Sequence, residues 1–159
     1  MAWVERYRTD EPVAVLDLGG RNINGTPRPL FPNATAYTVL DIAEGEGVDI
    51  VADAATWTPD RRYDVVVCCE VFEHTYVWPR ILRTIYAALV DGGQVIATMA
   101  GPGRAVHSAV DGGPFLYEGE HYANVQASVL VDALAALGFR DVVVDEELNS
   151  HDVRAIAYR

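Results

Sequence analysis

The chain alternates short apolar runs with longer segments of helical period, and this alternation constrains the fold more than any other feature. Residues 63–70 (YDVVVCCE) are nearly continuous valine and cysteine, which is typical of a strand covered on both faces. Residues 77–93 follow with apolar side chains at helical spacing, Pro79 in the first turn and a glycine pair at the end. Residues 93–100 form the next apolar run. Such a strand–helix–strand unit predicts a mainly parallel sheet with right-handed crossovers.

The same pattern extends over the rest of the chain. Three further strands are predicted before this unit, at 13–18, 36–42 and 48–53. A second helix is predicted at 124–139, and two strands with little between them come last, at 140–148 and 152–159, which indicates an antiparallel hairpin. We therefore predict an α/β, Rossmann-like fold with a mainly parallel seven-stranded sheet and a C-terminal antiparallel hairpin.

The second helix also has predictable ends and a predictable face. Asn124 is suited to cap its first turn, and Gly138 is suited to end it. Val129, Ala133 and Leu137 repeat at helical spacing and are expected to form the buried face.

Length and charge narrow the class of protein. With 159 residues the chain fits one domain, 1–159, without a separate substrate domain. A formal net charge of −11 opposes binding to a phosphate backbone, so no nucleic-acid partner is expected. No apolar stretch is long enough to span a bilayer, and the first residues lack the apolar core of a signal peptide. Adjacent Cys68 and Cys69 are expected to point to opposite faces of a strand as reduced, buried side chains. We expect a cytoplasmic protein with no membrane partner.

Carboxylates and glycines follow the predicted strands at the end where ligands bind in open α/β sheets. Asp17 with Gly19 and Gly20 follow the first strand, Asp41 follows the second, and Asp53 follows the third. The fourth strand is followed by acidic residues and a histidine, namely Glu70, Glu73 and His74. A carboxylate after the second strand is placed to accept both hydroxyls of a ribose, and one after the third to accept from an exocyclic amine. Together these positions predict a pocket for an adenosine.

The loop after the first strand argues against a phosphate-bearing ligand. A dinucleotide site requires a G-x-G-x-x-G turn that leads into a helix, whereas residues 19–32 (GGRNINGTPRPLFP) have a different glycine spacing. Pro27, Pro29 and Pro32 forbid a regular helix in this stretch. Several carboxylates would also repel phosphates. A ligand with a sulfonium and an ammonium group fits better.

These segments resemble, in order, five motifs of class I S-adenosylmethionine-dependent methyltransferases of the small-molecule type with an E-x-x-E-H box. The matching segments are VLDLGG (15–20), TVLDI (38–42), ADA (52–54), YDVVVCCEVFEH (63–74) and DGGQVIAT (91–98). The resemblance implies S-adenosylmethionine as cofactor and a small-molecule acceptor. It implies that the glycine loop wraps the methionine moiety, with Asp41 on the ribose, Ile42 against the adenine, and Asp53 with the Ala54 backbone at the adenine amine. The implied cofactor residues are Asp17, Gly19, Gly20, Asp41, Ile42, Asp53, Ala54 and Glu70.

Each of these carboxylates also has a simpler interpretation. Asp17, Asp41 and Asp53 are suited to bind nearby backbone as turn residues. Glu70 is suited equally to seat the methionine amine or to cap the following turn. The chain also departs from the family pattern, because the glycine loop is altered and the helices around the first strand are shortened or missing. The alternative function is therefore a non-catalytic module, on a degenerate methyltransferase fold, that binds a cofactor or a partner.

The catalytic candidates are histidines. His74 follows the fourth strand and is a candidate general base or a structural residue. His107 and His121 belong to an irregular, glycine-rich segment at 101–122, which is long for a connection and is expected to form a wall or lid over the acceptor. A zinc site built from the three histidines and Glu73 lacks a spacing signature, so no metal is predicted. The sparse N-terminal cover predicts an open cleft, or one closed by the second subunit of a homodimer.

Overall fold

The computed structural model describes the whole chain, residues 1–159, and its sheet has the predicted topology. Seven strands are arranged in the order β3-β2-β1-β4-β5-β7-β6. Strands β1 to β5 are parallel, and β7 is antiparallel to both β5 and β6. The strands are β1 Ala14–Leu18, β2 Ala36–Asp41, β3 Ile50–Val51, β4 Tyr63–Cys69, β5 Leu89–Ala100, β6 Arg140–Glu147 and β7 Asp152–Tyr158.

Three helices accompany the sheet: α1 Ala2–Tyr7, α2 Trp78–Ala88 and α3 Ala127–Leu137. Helices α2 and α3 bury apolar side chains against one face of the sheet, in the larger of two core clusters. Side chains of α1 and Phe31 cover the opposite face in a cluster of 8 buried residues. The sheet is therefore covered thickly on one face and thinly on the other. No helix in the structure is long and apolar enough to cross a membrane.

The thin cover follows from the proline-rich loop after β1. The only regular structure in this loop is one 3-10 turn, Arg28–Leu30, because the prolines exclude a longer helix. Phe31 follows this turn and is only 4% exposed, so a single aromatic ring occupies space that a helix would otherwise fill. The predicted loss of the helix after the first strand is confirmed.

The two adjacent cysteines lie as expected on opposite faces of β4. Cys68 belongs to the larger core cluster, whereas Cys69 packs against the smaller one. Both are free thiols, and burial raises the pKa of Cys69 to about 12, so neither is a reactive thiolate.

The predicted end of the first long helix is wrong. Helix α2 ends at Ala88, and Leu89 already has extended backbone and pairs with Tyr63 of β4. Gly92 and Gly93 therefore lie inside β5, between its two stretches of pairing with β4, and do not end the helix. The Leu89 carbonyl also accepts a hydrogen bond from the guanidinium of Arg159 at 2.5 Å.

The predicted start of α3 is wrong, and its predicted buried face is correct only in part, because Ala133 and Leu137 pack against the core whereas Val129 does not. The helix begins at Ala127, and the Asn124 side chain donates to the Arg104 carbonyl at 3.2 Å, so it does not cap the helix. Leu130 and Leu134 are the buried residues, while Val129 is 50% exposed. The helix end is confirmed, because Gly138 adopts a left-handed φ of 91° and its amide closes the last turn.

The predicted third strand is shorter than expected. Only Ile50–Val51 pairs with β2, and the Asp49 carboxylate accepts the Val39 amide at 2.8 Å just before this pairing begins. After Val51 the chain turns at once, because the Asp53 carboxylate accepts the Ala55 amide at 2.8 Å. The edge of the sheet beyond β2 is therefore held by few backbone bonds.

Trp3 supports the thin face and offers a test of it. Its side chain is 5% exposed, and its indole N–H donates to the Ala155 carbonyl at 3.0 Å. We expect Trp3→Ala to lower the free energy of unfolding by about 3–5 kcal/mol, the usual cost of removing a large buried aromatic ring. Chemical denaturation would measure the loss. Leu148→Ala is the matched control, because Leu148 is 80% exposed, and equal stability of the two variants would contradict this account.

Candidate active site

A cleft of about 1060 Å³ lies at the carboxyl ends of β1, β2 and β4. Its walls include residues after each of these strands and part of the long segment 101–122. Parallel pairing places the ends of these strands side by side, which is why residues distant in sequence meet here. The predicted positions at the cleft wall are Asp17, Gly19, Gly20, Asp41, Ile42, Asp53, Ala54, Glu70, His74 and His107.

The two glycines after β1 are required by close packing. Gly19 has a φ of 75°, and a Cβ atom there would stand 2.2 Å from a methyl carbon of Val71. A Cβ atom on Gly20 would stand 2.6 Å from the carboxyl carbon of Asp17. Any larger residue would therefore displace the loop that lies between the ends of β1 and β4.

Asp17 is buried beneath this loop. Its carboxylate accepts a hydrogen bond from the Tyr37 hydroxyl at 2.8 Å. Burial raises the pKa of Asp17 to about 6, the Tyr37 hydrogen bond opposes the rise, and the negative charge of Asp41 adds to it. Tyr37 was not among the sequence candidates, although a tyrosine within an otherwise apolar strand was a signal for it.

Asp41 holds the backbone at the end of β2. One carboxylate oxygen accepts the Arg21 amide at 3.1 Å, and the other accepts the Ala43 amide at 2.9 Å. The simpler interpretation of Asp41, a residue that binds nearby backbone, is thus an observed contact. Each oxygen still has a second acceptor position, so the backbone bonds leave capacity for a ligand.

The positions after Asp41 and after β3 differ in exposure. Ile42 lines the cleft with its side chain 73% exposed, which is unusual for isoleucine and provides an apolar surface for a flat ring. Asp53 lies at the wall, and Ala54 is buried at 8% exposure in the larger core cluster. Ala54 can therefore contact a ligand through its backbone but hardly through its side chain.

Glu70 has a strained backbone at the end of β4, with a φ of 56°. Its Oε1 atom accepts the Thr98 hydroxyl at 2.9 Å, while Oε2 is buried without a hydrogen-bond partner. Arg104 approaches Oε2 only to 3.9 Å. Glu70 does not cap the following turn, whose cap lacks a side-chain hydrogen bond. A buried carboxylate oxygen with no partner is suited to a cationic group.

Glu73 is fully buried, at 0% exposure. Its Oε1 atom accepts the Ala100 amide at 3.0 Å, and its backbone carbonyl accepts the Ala123 amide at 2.8 Å. Burial raises the pKa of Glu73 to about 8, and the charge of Glu70 adds to the rise. One residue thus bonds to both ends of the long segment 101–122.

The structure brings two of the three candidate histidines together and leaves the third apart. The rings of His74 and His107 lie 4.9 Å apart, centroid to centroid, and Tyr122 packs against both. Burial lowers the pKa of His74 to about 4, and His107 contributes to the fall, so His74 is a weak base. His121 packs on Tyr76 at 5.8 Å and does not line the cleft.

The long segment crosses the cleft because of contacts that sequence spacing does not predict. The Arg21 guanidinium donates to the Ala109 carbonyl at 3.0 Å, which joins the glycine loop to the segment. Within the segment, the Glu120 carboxylate accepts from the Ser108 hydroxyl and from the Tyr117 amide. Residues 101–122 therefore form an ordered wall. Their predicted position over the strand ends is observed, and their role toward an acceptor stays a prediction.

The comparison with known protein families identifies the class. Residues 1–144 match the family model of a methyltransferase domain, so the chain belongs to this family. No curated protein has a sequence that matches this chain. The family assignment therefore rests on the domain model and on the fold.

Solved structures agree with the assignment. The chain is similar to a protein solved as a DhpI–SAH complex, with a TM-score of 0.73 and 24% identity over 98% of this chain and 81% of that one. An S-adenosylmethionine-dependent methyltransferase from Mesorhizobium loti has a TM-score of 0.72 and 15% identity, over 99% and 96% of the two chains. A Burkholderia thailandensis 1,6-didemethyltoxoflavin N1-methyltransferase has a TM-score of 0.66 and 15% identity, over 94% and 72%. At these identities the likeness establishes the shared fold.

Asp17 predicts a specific pH dependence of stability. Because its pKa is about 6 in the fold against 3.8 for an unperturbed aspartate, the folded state holds the proton more tightly between these pH values. The contribution of Asp17 to the free energy of unfolding is at its maximum below about pH 4. It falls as pH rises to about 6, by at most about 1.4 kcal/mol per pH unit.

We expect Asp17→Asn to abolish this part of the pH dependence. Asparagine keeps the shape and an acceptor for Tyr37, but it has no proton to lose. The free energy of unfolding of both proteins, measured by urea denaturation between pH 4 and 7, should diverge in favour of the variant as pH rises. Parallel profiles for the two proteins would contradict the assignment.

Proposed function

We propose that this chain is an S-adenosylmethionine-dependent methyltransferase that acts on a small-molecule acceptor. The observation that carries the proposal is the cleft itself. Carboxylates from β1, β2 and β4 surround a glycine loop packed too closely for any side chain, and a buried oxygen of Glu70 has no partner. An adenosine linked to a sulfonium and an ammonium group matches this distribution of acceptors.

Each part of such a cofactor has suitable residues in the cleft. The Asp41 carboxylate has free acceptor positions for ribose hydroxyls, and exposed Ile42 provides a face for the adenine ring. Asp53 and the Ala54 backbone lie at the wall where the exocyclic amine would be. Glu70 provides an acceptor for the methionine ammonium, and Gly19 and Gly20 line the cleft with backbone beside the chain that links the two ends.

A dinucleotide fits this cleft poorly. No helix starts after β1 to direct its N-terminus at a diphosphate, because the loop there contains only one 3-10 turn. The Arg21 guanidinium, which could otherwise meet a phosphate, is bonded to the Ala109 carbonyl. The surrounding carboxylates would repel the negative charge.

The cofactor supplies an already activated methyl group, so the protein has mainly to position the acceptor. His107 is suited to accept a proton from a hydroxyl or ammonium acceptor. Its Nδ1 atom lies 3.3 Å from the Ala105 carbonyl, an arrangement in which Nδ1 carries the hydrogen and Nε2 keeps its lone pair. His74, whose pKa is lowered by burial, is a weak base, and His121 lies outside the cleft. The ordered wall of residues 101–122 would exclude water from the reacting groups.

The cofactor proposal predicts selective binding. S-adenosylhomocysteine and S-adenosylmethionine should raise the melting temperature, since binding to the folded state alone stabilises it, and NAD should not. Asp41→Ala should weaken S-adenosylhomocysteine binding by about 1.5–3 kcal/mol, the range for hydrogen bonds to charged groups. Isothermal titration calorimetry measures both effects, with Asp60→Ala, at an exposed position, as the control.

The two outcomes that oppose this proposal are distinct. No heat with either sulfur compound at millimolar concentration would refute cofactor binding. Unchanged affinity in a folded Asp41→Ala protein would refute the ribose contact alone.

The catalytic proposal predicts different effects of the two loop histidines. His107→Ala should slow methyl transfer by about 10²–10⁴-fold, the usual contribution of a positioned base, and should leave S-adenosylhomocysteine affinity nearly intact. His121→Ala should leave both properties unchanged. A radiolabelled methyl assay with a panel of small hydroxyl and amine acceptors measures transfer.

Full activity of the His107→Ala protein would contradict the role of His107 as base. Cofactor binding without transfer to any acceptor would instead favour the alternative function, a cofactor-binding or partner-binding module. The altered glycine loop and the missing helix after β1 are the features consistent with that alternative. Association into a homodimer that closes the open cleft stays a prediction.

A further inference from the structure

Glu73, His74 and His107 form a cluster of metal-ligating atoms at one end of the cleft. One ligand atom from each residue lies within 4.8 Å of the other two. The Nε2 atom of His107 is 4.0 Å from Oε1 of Glu73, too far for a hydrogen bond between them. The three residues therefore face a common point without satisfying one another.

Two atoms of the cluster are buried and unpartnered. Oε2 of Glu73 and Nδ1 of His74 are buried and have no hydrogen-bond partner. Glu73 is 0% exposed, so no solvent contact satisfies its second oxygen. Buried polar atoms nearly always have a partner, so each of these two atoms calls for one.

The third residue is held in the orientation that metal-binding histidines adopt. A histidine that binds a metal usually donates its other ring N–H to a carbonyl or carboxylate, which directs the free lone pair at the ion. The contact between Nδ1 of His107 and the Ala105 carbonyl, at 3.3 Å, has this form. The same carbonyl accepts the Tyr122 hydroxyl at 3.0 Å, and the Tyr122 ring packs against both histidines.

We propose that Glu73, His74 and His107 bind a divalent transition-metal ion. Two imidazole nitrogens and one carboxylate oxygen suit a borderline ion such as Zn²⁺ or Co²⁺, and not Mg²⁺ or Ca²⁺, which prefer oxygen. A tetrahedral ion about 2.1 Å from each ligand requires ligand atoms about 3.4 Å apart, so the three residues need to close by about an ångström. His107 is on the long segment, whose glycines allow such a shift.

The site leaves a coordination position for another molecule. His74 and His107 line the cleft, whereas Glu73 is fully buried and does not, so an ion held by these three residues would have its fourth position open to the cleft. Three ligands with one open position are typical of metal sites that take part in a reaction. An acceptor hydroxyl bound there would give up its proton to water in the cleft more readily, because the cation would stabilise the alkoxide. The alkoxide oxygen would then take the methyl group, and the sulfur would leave with the electron pair of the broken bond. The ion would thus replace His107 as the group that activates the acceptor, since Nε2 of His107 cannot bind a metal and a proton together.

Metal binding is testable without the cofactor or an acceptor, so its failure is separate from any failure of the proposed function. The full-length protein, free of any affinity tag and stripped of metal with a chelator, is titrated with Zn²⁺ against a chromophoric indicator. We expect one equivalent to bind. Glu73→Gln and His107→Ala should each weaken this binding by about 10-fold or more. Co²⁺ should give the visible absorption of a four-coordinate site in the wild type and lose it in both variants.

The chain offers matched controls for each class of ligand. His121→Ala and His151→Ala remove the two histidines outside the cluster and should leave Zn²⁺ affinity within about 2-fold of the wild type. Cys69→Ser should do the same. Glu73→Gln keeps the size of the buried side chain, and His107 lies on a loop, so both variants are expected to fold; melting curves verify this.

Three results would overturn the proposal. The first is the absence of stoichiometric Zn²⁺ binding. The second is unchanged affinity in folded Glu73→Gln and His107→Ala proteins. The third is loss of binding in Cys69→Ser or in either outlying histidine variant, which would place the ion elsewhere.

Discussion

The buried carboxyl of Glu73 is the contact on which the shape of the cleft depends. Its side chain accepts the amide of the last residue of β5, and its backbone carbonyl accepts an amide just after the long segment 101–122. Both ends of that segment are thereby held beside the end of β4. The segment has to arch across the strand ends, and Arg21 then bonds its outer part to the glycine loop. Glu73, which is itself fully buried, thus determines how much of the cleft is open to solvent and ligands.

The acidic character of the cleft destabilises the folded protein when no ligand is bound. Asp17 and Glu73 are buried near other carboxylates, and the pKa of each is raised. Oε2 of Glu70 is buried without a hydrogen-bond partner, with the Arg104 guanidinium at 3.9 Å. Such an arrangement is unfavourable for folding by itself, because buried carboxylates lose solvation. Cationic ligands, whether the sulfonium and ammonium of a cofactor or a metal ion, would relieve it, so the site is more stable when occupied.

The sequence predicts the sheet well because its strands are encoded locally. The apolar runs at β1, β4 and β5 specify buried strands wherever they lie, and the order of strand–helix units leaves few topologies. The carboxylates after these strands were predictable for the same reason: parallel strands bring their ends to one edge. Of the cofactor and catalytic candidates, only His121 does not reach the cleft; Glu73, a candidate metal ligand, is fully buried and does not line it.

The errors occur where distant contacts override local preference. Leu89 continues the helical spacing of α2, yet pairing with Tyr63 makes it extended. Val129 has the spacing of a buried residue, yet the position of α3 on the sheet buries Leu130. His107 and His121 look alike in sequence, yet His107 lines the cleft and His121 packs on Tyr76 outside it. None of these contacts is encoded in a pattern of neighbouring residues.

The short β3 and the weakly held edge beyond β2 affect how the protein opens in solution. Strand β3 has two residues, and Val51 within it is 57% exposed, so backbone amides there should exchange with deuterium long before those of β4. Asp41 lies at the end of the strand that this edge flanks. The proposed adenosine half of the cleft thus borders the weakly paired edge of the sheet, and the proposed methionine half borders its centre. A ligand that spans both halves would join two units of unequal stability into one.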